Sequence, residues 1–288
     1  NSIAIDSVGN RHVVYESNND LFYSTDESGS WVTTTIQSTP DVGRFADIAI
    51  DSTDKIHISY FDETNGNLKY ATDESGSWQV STIDNTAGRI VGHHTSIAID
   101  SNDKIHISYH DASMKNLKYA TDKTGSWVTS TIYSTGDTGL QSEIVIDSND
   151  KVHIAYYDNH FKSLNRITDE SGSWASGVVD NIGGSSYTTG GQPSIAFDST
   201  GAIHIVHRDV TNSALRYATC SSNCLNAASW TLSNIETAND VGTQSALVID
   251  SNDNLHVTYR DVTNSALRYA TCSAVDCHSP FGNVWVST

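Results

Sequence analysis

His93 and His94 stand side by side in "GHHTS", and His110 closes the strand-like run that follows them. Three imidazoles so spaced can take up a proton, hold a metal, or hydrogen-bond the hydroxyls of a ligand. Tyr157 occupies the place of His110 one repeat later, and Arg208 and Arg260 occupy it in the last two repeats. Arg44 lies one repeat before His93, while His160 and His207 fall in the same sector as Tyr157 and Arg208. If the chain is an enzyme, the candidates are His93, His94, His110 and Tyr157, with His or Tyr as base and Arg or His neutralising an acid. If it only binds, Arg44, His160, His207, Arg208 and Arg260 join them as ligand contacts.

What must position these residues is a repeat. The phrase "SIAIDS" at Ser2 returns as "DIAIDS", "SIAIDS", "EIVIDS", "SIAFDS" and "ALVIDS". Its Asp falls at 6, 51, 100, 147, 198 and 250, with spacings of 45, 49, 47, 51 and 52 residues. Self-similarity at this period is the mark of a propeller blade. Each unit holds four short runs rich in Ile, Val, Tyr and Thr, bounded by Asp, Asn, Gly and Ser, with no helical period. The expectation is one all-β domain over 1–288, a six-bladed β-propeller of four antiparallel strands per blade. Its blades cover about 1–45, 46–94, 95–141, 142–192, 193–244 and 245–288, and no strand is swapped between the termini to close the ring.

A heptapeptide between the third and fourth runs reads "TDESGSW" three times and "TDKTGSW" once. Asp26, Asp73, Asp122 and Asp169 can accept turn amides, the Gly permits the backbone bend, and a Trp opens the last strand as a core plug. Trp31, Trp78, Trp127, Trp174, Trp230 and Trp285 supply one such Trp per unit. The Asp-to-Trp spacing resembles the Asp-box (BNR-like) repeat of sialidases and related lectin-like propellers, with the Gly one residue later. That resemblance implies a structural role for the box, away from any active site. The stretch Gly92–Asp111 is similar to a blade of propeller polysaccharide lyases, where paired His precede the inner strand. Blade length and layout also resemble six-bladed fucose-binding lectins.

In the last two units the turn carries cysteines, and Cys220–Cys224 and Cys272–Cys277 read as local disulfides, with zinc as the alternative. Disulfides imply a secreted or periplasmic protein. The chain opens directly on a strand-like run, which reads as a processed or trimmed form or a cytosolic protein. With 16 Lys and Arg against 34 Asp and Glu, the net charge of −18 disfavours nucleic acid and anionic membranes, and no apolar run suits membrane insertion.

The His of the second run (His12, His57, His106, His153, His204, His256) and the Tyr of the third read as core. Arg166 replaces that Tyr in the fourth unit and, if buried, needs an acidic partner. The "DSNDK" turns have Ca²⁺-loop-like Asp spacing without the remaining ligands, so capping is the expected role and no cofactor or metal is required. The expected function is an extracellular, non-catalytic recognition module for a glycan or cell-surface ligand. A polysaccharide lyase or glycoside hydrolase at the His-rich face is the alternative, and a protein-binding scaffold the third.

Overall fold

The structure, a computed structural model, describes residues 1–38, 40–181, 188–273 and the backbone of 286–287. Cys277 and Trp285 therefore lie outside the described residues, and with them the Cys272–Cys277 pairing. Six four-stranded antiparallel sheets follow one another along the chain, each made of strands consecutive in sequence, as a six-bladed all-β propeller. Among the described residues, no sheet takes a strand from a distant part of the chain. Two compact units divide the chain, Asn1–Ile146 and Asp147–Thr288.

The first unit contains β1 (Ser2–Ile5), β2 (Arg11–Ser17), β3 (Asp20–Thr25) and β4 (Val32–Gln37), then β5 (Val42–Ile50), β6 (Ile56–Asp62), β7 (Asn67–Thr72) and β8 (Gln79–Asp84). It continues with β9 (Val91–Ile99), β10 (Ile105–Asp111), β11 (Asn116–Thr121), β12 (Val128–Tyr133) and β13 (Thr138–Ile146). The second unit contains β14 (Val152–Asp158), β15 (Ser163–Thr168) and β16 (Ala175–Asp180), then β17 (Thr189–Phe197), β18 (Ile203–Asp209), β19 (Ala214–Cys220) and β20 (Thr231–Glu236). Its last sheet is β21 (Val241–Ile249), β22 (Leu255–Asp261), β23 (Ala266–Cys272) and β24 (Val286–Ser287). Second strands such as β6 and β10 are buried at every position, because neighbouring sheets cover both of their faces.

A polar relay, buried in all but the last blade, runs through every blade and accounts for the repeated Asp, His and Tyr together. The Tyr23, Tyr70, Tyr119, Tyr217 and Tyr269 hydroxyls lie 2.5–2.6 Å from Nδ1 of His12, His57, His106, His204 and His256. Nε2 of each ring faces the Asp of the "IDS" phrase at 3.2–3.3 Å, from Asp6 to Asp250. A carboxylate only accepts, so Nε2 carries the proton and Nδ1 accepts from the phenol. In the fourth blade the guanidinium of the fully buried Arg166 replaces the phenol as donor to His153 and pairs with Glu170 at 2.5 Å, the acidic partner that burial demands.

The same Asp closes the turn after the first strand. Asp51 Oδ1 accepts from the amides of Thr53 and Lys55 at 2.8 and 2.9 Å, and Asp100, Asp147 and Asp250 repeat the pattern. Burial opposes the charge on Asp51 and Asp100, yet turn amides and the His bond outweigh it and hold both carboxyls below the ordinary range. The next residue ties blade to blade: Ser52 donates through amide and hydroxyl to Asp103, as Ser7 does to Asp54 and Ser199 to Asp253. These carboxylates are thus engaged within the protein, as turn caps and as ties between neighbouring blades.

The heptapeptide is likewise a joint. Asp73 Oδ1 accepts from the Ile56 amide at 2.8 Å, fastening the turn to the start of the second strand, and Asp26, Asp122 and Asp169 do the same. Trp78 and Trp127 meet Tyr23 and Tyr70 of the preceding blade edge-on at 5.0 and 5.1 Å. Trp31 departs from the core-plug expectation: it is 53% exposed, beneath the Arg11 guanidinium. In the fifth blade the Cys220–Cys224 disulfide staples the longer turn, and Trp230 Nε1 donates to the Cys224 carbonyl at 3.0 Å.

Candidate functional site

The first strands of the second, third, fifth and sixth blades carry two bulges each, and those of the second and third build the site. In the third blade Val91 opposes Asp111, His93 opposes His110, and Ser96 opposes Ser108, so β9 spends six residues where β10 spends four. The first extra residue is Gly92 at φ 110°, and a Cβ there would lie 2.8 Å from the Leu68 backbone of the preceding blade. The second is His94 at φ 51°, a left-handed conformation that costs a non-glycine residue on the order of 1 kcal/mol. Phe45, Gln141, Gln192 and Gln244 hold the same position in other blades, at φ 50–53°. Bulges re-aim side chains. Here they turn one residue per blade out of the sheet and set its neighbour opposite the end of the second strand.

In the first unit these devices bring six residues into one corner. Phe45 lies 4.4 Å from His94 and 5.5 Å from His93, ring centre to ring centre, and Phe61 meets His93 edge-on at 4.3 Å. Arg44, across the ladder from Phe61, is half exposed, 3.3 Å from both Asp41 and Glu63. His110 is buried, with Nε2 3.8 Å from Asp137, which also holds Lys115 at 3.5 Å. Phe61 is buried, whereas Phe45 is 40% exposed and forms the open wall. Below it, the Thr95 hydroxyl donates to Ser59 at 2.7 Å and locks the two blades together.

Nε2 of His93 and both ring nitrogens of His110 are buried without a protein partner within hydrogen-bonding reach. Such groups are costly to keep and rare outside sites that use them. Burial pushes the imidazoles of His94 and His110 down to about 4, the nearby His rings adding to the effect and Asp137 opposing it at His110. His93 is lowered too, chiefly by burial, with Glu63 opposing and Arg44 assisting. At neutral pH the corner therefore presents three uncharged imidazoles beside one cation.

An unfolded chain takes up protons at these rings as pH falls through about 6.5, whereas the folded chain holds His94 and His110 neutral down to about 4. Stability is full above that window and drains as pH falls through it. A His94→Gln, His110→Phe variant, using residues found at these places in other blades, is expected to flatten the fall of melting temperature between pH 6.5 and about 4. A slope equal to that of the parent would rule out these rings as its source.

The other sequence candidates lie in the second unit. Tyr157 is buried at 9% exposure, its hydroxyl 3.4 Å from Asn159. His160 is exposed at a turn and meets the Phe161 ring at 4.6 Å. Arg208 reaches Asp240 at 2.6 Å, and Arg260 is exposed on β22. His207 offers nothing to a ligand: it is fully buried, Nδ1 accepting from the Gly190 amide at 3.2 Å and Nε2 facing Asp180 at 3.2 Å. It stands where other blades place a buried Tyr, such as Tyr109, whose hydroxyl donates to Asp84 at 2.8 Å. Phe45 and Phe61 were not among the sequence candidates. The signal was there, since both sit at the positions that drew attention to His94 and His110. Among the described residues, no group of three or more His, Cys, Asp or Glu could hold a metal ion.

No family model matches the chain, and no curated protein matches it. Solved structures share its fold. AofleA from Arthrobotrys oligospora, in a form with three arginines changed to alanine, is 12% identical with a TM-score of 0.61, over 99% of this chain and 83% of that one. An ulvan lyase of polysaccharide lyase family PL25, bound to -[GlcA(1-4)Rha3S]-, is 12% identical with a TM-score of 0.66, over 99% and 81%. The Hadza microbial sialidase Hz136 is 11% identical with a TM-score of 0.57, over 93% and 66%. At these identities the likeness is one of fold.

Proposed function

We propose that the chain is a secreted, glycan-binding propeller of the Asp-box type, and that it binds at the corner of Arg44, Phe45, Phe61, His93, His94 and His110 without catalysis. The observation that carries this is the set of buried, unpartnered nitrogens on His93 and His110 beside the open ring of Phe45. A sugar fits that chemistry. Its hydroxyls both donate and accept, so they complete neutral imidazoles, and its C–H face lies flat on an aromatic wall. Arg44 adds a cationic donor for a hydroxyl or an acidic group. The solved relatives that act on or are bound to saccharides by their descriptions, the ulvan lyase and the sialidase, are in keeping with it. The Cys220–Cys224 disulfide supports an oxidising compartment. Catalysis is disfavoured by the rings themselves: an imidazole held at about 4 is a weak base at neutral pH.

The test is a glycan array on the parent and on a His93→Ala, His94→Gln, His110→Phe variant, with circular dichroism to confirm the fold. The variant is expected to lose at least about tenfold in affinity, the worth of one good hydrogen bond. Undiminished binding would move the site elsewhere. Release of new reducing ends or of unsaturated uronyl product from a bound polysaccharide would overturn the non-catalytic part and favour a lyase or hydrolase.

A further inference from the structure

Arg44 is flanked by two carboxylates, one more than its charge requires. Its Nε stands 3.3 Å from Asp41 Oδ1, and its Nη1 stands 3.3 Å from Glu63 Oε2. The backbone sets the two acids on either side of it, because the Asp41 carbonyl accepts from the amides of Glu63 and Thr64 at 3.0 and 3.4 Å. Glu63 favours the charged form of the His93 ring, so its carboxylate acts within the corner. With the three imidazoles held neutral at pH 7, the corner carries one positive and two negative charges.

The fold does not ask for these acids. The same backbone bond ties the Ala112 amide to the Ile90 carbonyl in the third blade, Val210 to Thr188 in the fifth and Val262 to Asp240 in the sixth. Glu63 thus has Ala or Val for counterparts, and Asp41 has Ile, Thr or Asp. Among these blades only the second places an acid at both positions. Nor is Asp41 fully engaged. Among the described residues its Oδ1 is buried without a hydrogen-bond donor, since Arg44 Nε stands near it but is not aligned with it. Nε2 of His93 lacks a partner in the same corner. A buried carboxylate oxygen needs a donor, and a sugar hydroxyl is one. A ligand carboxylate or sulfate has no proton to give Asp41, and it brings a further negative charge.

We propose that the corner is selective for neutral sugars, and that Asp41 and Glu63 make it so: Asp41 accepts from a ligand hydroxyl, and the two acids together turn away uronic acids and sulfated sugars. Arg44 donates to ligand hydroxyls as a paired cation and is not free to receive an anion. A ligand anion would meet a net negative corner in a protein whose formal charge is −18. Like charges brought together across a site cost binding free energy, and selectivity comes from what is repelled as well as from what is held. The inference rests on the glycan-binding reading of this corner and narrows it to one class of ligand.

The experiment compares affinities for an array of neutral saccharides and their acidic counterparts, in matched pairs such as glucoside and glucuronide, or galactoside and sulfated galactoside. It is run at low salt, where charge effects are largest. The proteins are the parent, Glu63→Gln, and the double variant Asp41→Asn, Glu63→Gln. Asn is at ease in the left-handed backbone of Asp41, at φ 55°, so that change leaves the turn intact. The parent is expected to bind the neutral member of a pair about tenfold more tightly than the acidic one, the effect of one like charge in a largely solvated site. Glu63→Gln should shrink that ratio. The double variant should abolish it, with weaker binding of the neutral member because its acceptor has lost its charge. A parent that prefers the acidic members overturns the inference, as does a ratio that the double variant leaves unchanged. The His93→Ala, His94→Gln, His110→Phe variant separates this failure from failure of the site. If that variant loses binding while the ratio ignores the acids, only the selectivity is wrong. If it binds as the parent does, the site lies elsewhere and the inference goes with it, and an array on which nothing binds overturns both readings.

Discussion

Replacing Asp180 by alanine is expected to cost about 3–5 kcal/mol of stability, read as a loss of denaturation midpoint in urea at pH 7. That is a large part of the total margin of an ordinary domain. The carboxylate is almost fully buried at the end of β16, accepting from Arg216 Nε at 2.8 Å with His207 Nε2 at 3.2 Å. The Gly190 amide donates to the far side of that ring, which leaves the proton on Nε2, 3.2 Å from Asp180. Arg216 also donates to the Asn234 side chain at 3.3 Å. Without the carboxylate a guanidinium stays in the interior opposite no charge, and the His207 ring loses the anion beside it.

The pH dependence follows the same balance. Burial resists the charge on Asp180, but His207 and Arg216 prevail and hold its carboxyl below the usual range. Its contribution is complete above about 4 and is lost as pH falls below that, so Asp180→Ala should narrow the acid sensitivity that remains under the histidine window. His207→Tyr is the control. Asp84, at the end of β8 in the second blade, takes the Tyr109 hydroxyl and the Lys118 ammonium of the third in the same arrangement, so a phenol at 207 keeps the carboxylate paired and should be far milder. An Asp180→Ala cost under about 1 kcal/mol would mean that the network is solvated in practice.

The sequence made the blade legible because a blade is local. Strand alternation, the turn residues and the Cys220–Cys224 staple all lie within one repeat of about 50 residues. The polar relay was half legible: His and Tyr each read as core, but their partnership did not. Yet Asp and His are six residues apart in every unit, and His and Tyr are thirteen apart in the second, third, fifth and sixth, with Arg166 at the same spacing in the fourth, a constancy that packing alone does not require. Less visible was everything made between blades. Asp180 reads as the last polar residue before a loop, and nothing nearby in sequence announces Arg216, 36 residues on. The corner was found through its histidines, because an imidazole in a loop-like stretch attracts a chemical reading. Phe45 and Phe61 were passed over because an aromatic ring in a strand reads as core. His207 and Tyr157 were counted as surface because the bulges change which residues of the second strand end face outward.

Arg166 offers the sharpest test of the relay, because the rest of the molecule says what should stand in its place. Arg166→Ala is expected to cost about 3 kcal/mol, from the cavity and from the His153 Nδ1 left without a donor. Arg166→Tyr is expected to be neutral or to stabilise by up to about 2 kcal/mol, as when a buried charge gives way to a group that fits. Five blades already hold a tyrosine there, its hydroxyl 2.5–2.6 Å from the same imidazole nitrogen. The arginine satisfies His153 and Glu170 but keeps Nη1 buried with no partner, a cost the phenol does not carry. Glu170 loses its cation in either variant, but it is nearly half exposed and water can solvate it. Thermal unfolding of the three proteins side by side decides the matter. If tyrosine proves as damaging as alanine, the relay needs a cation in this blade, and the equivalence of phenol and guanidinium as donors to His153 is wrong.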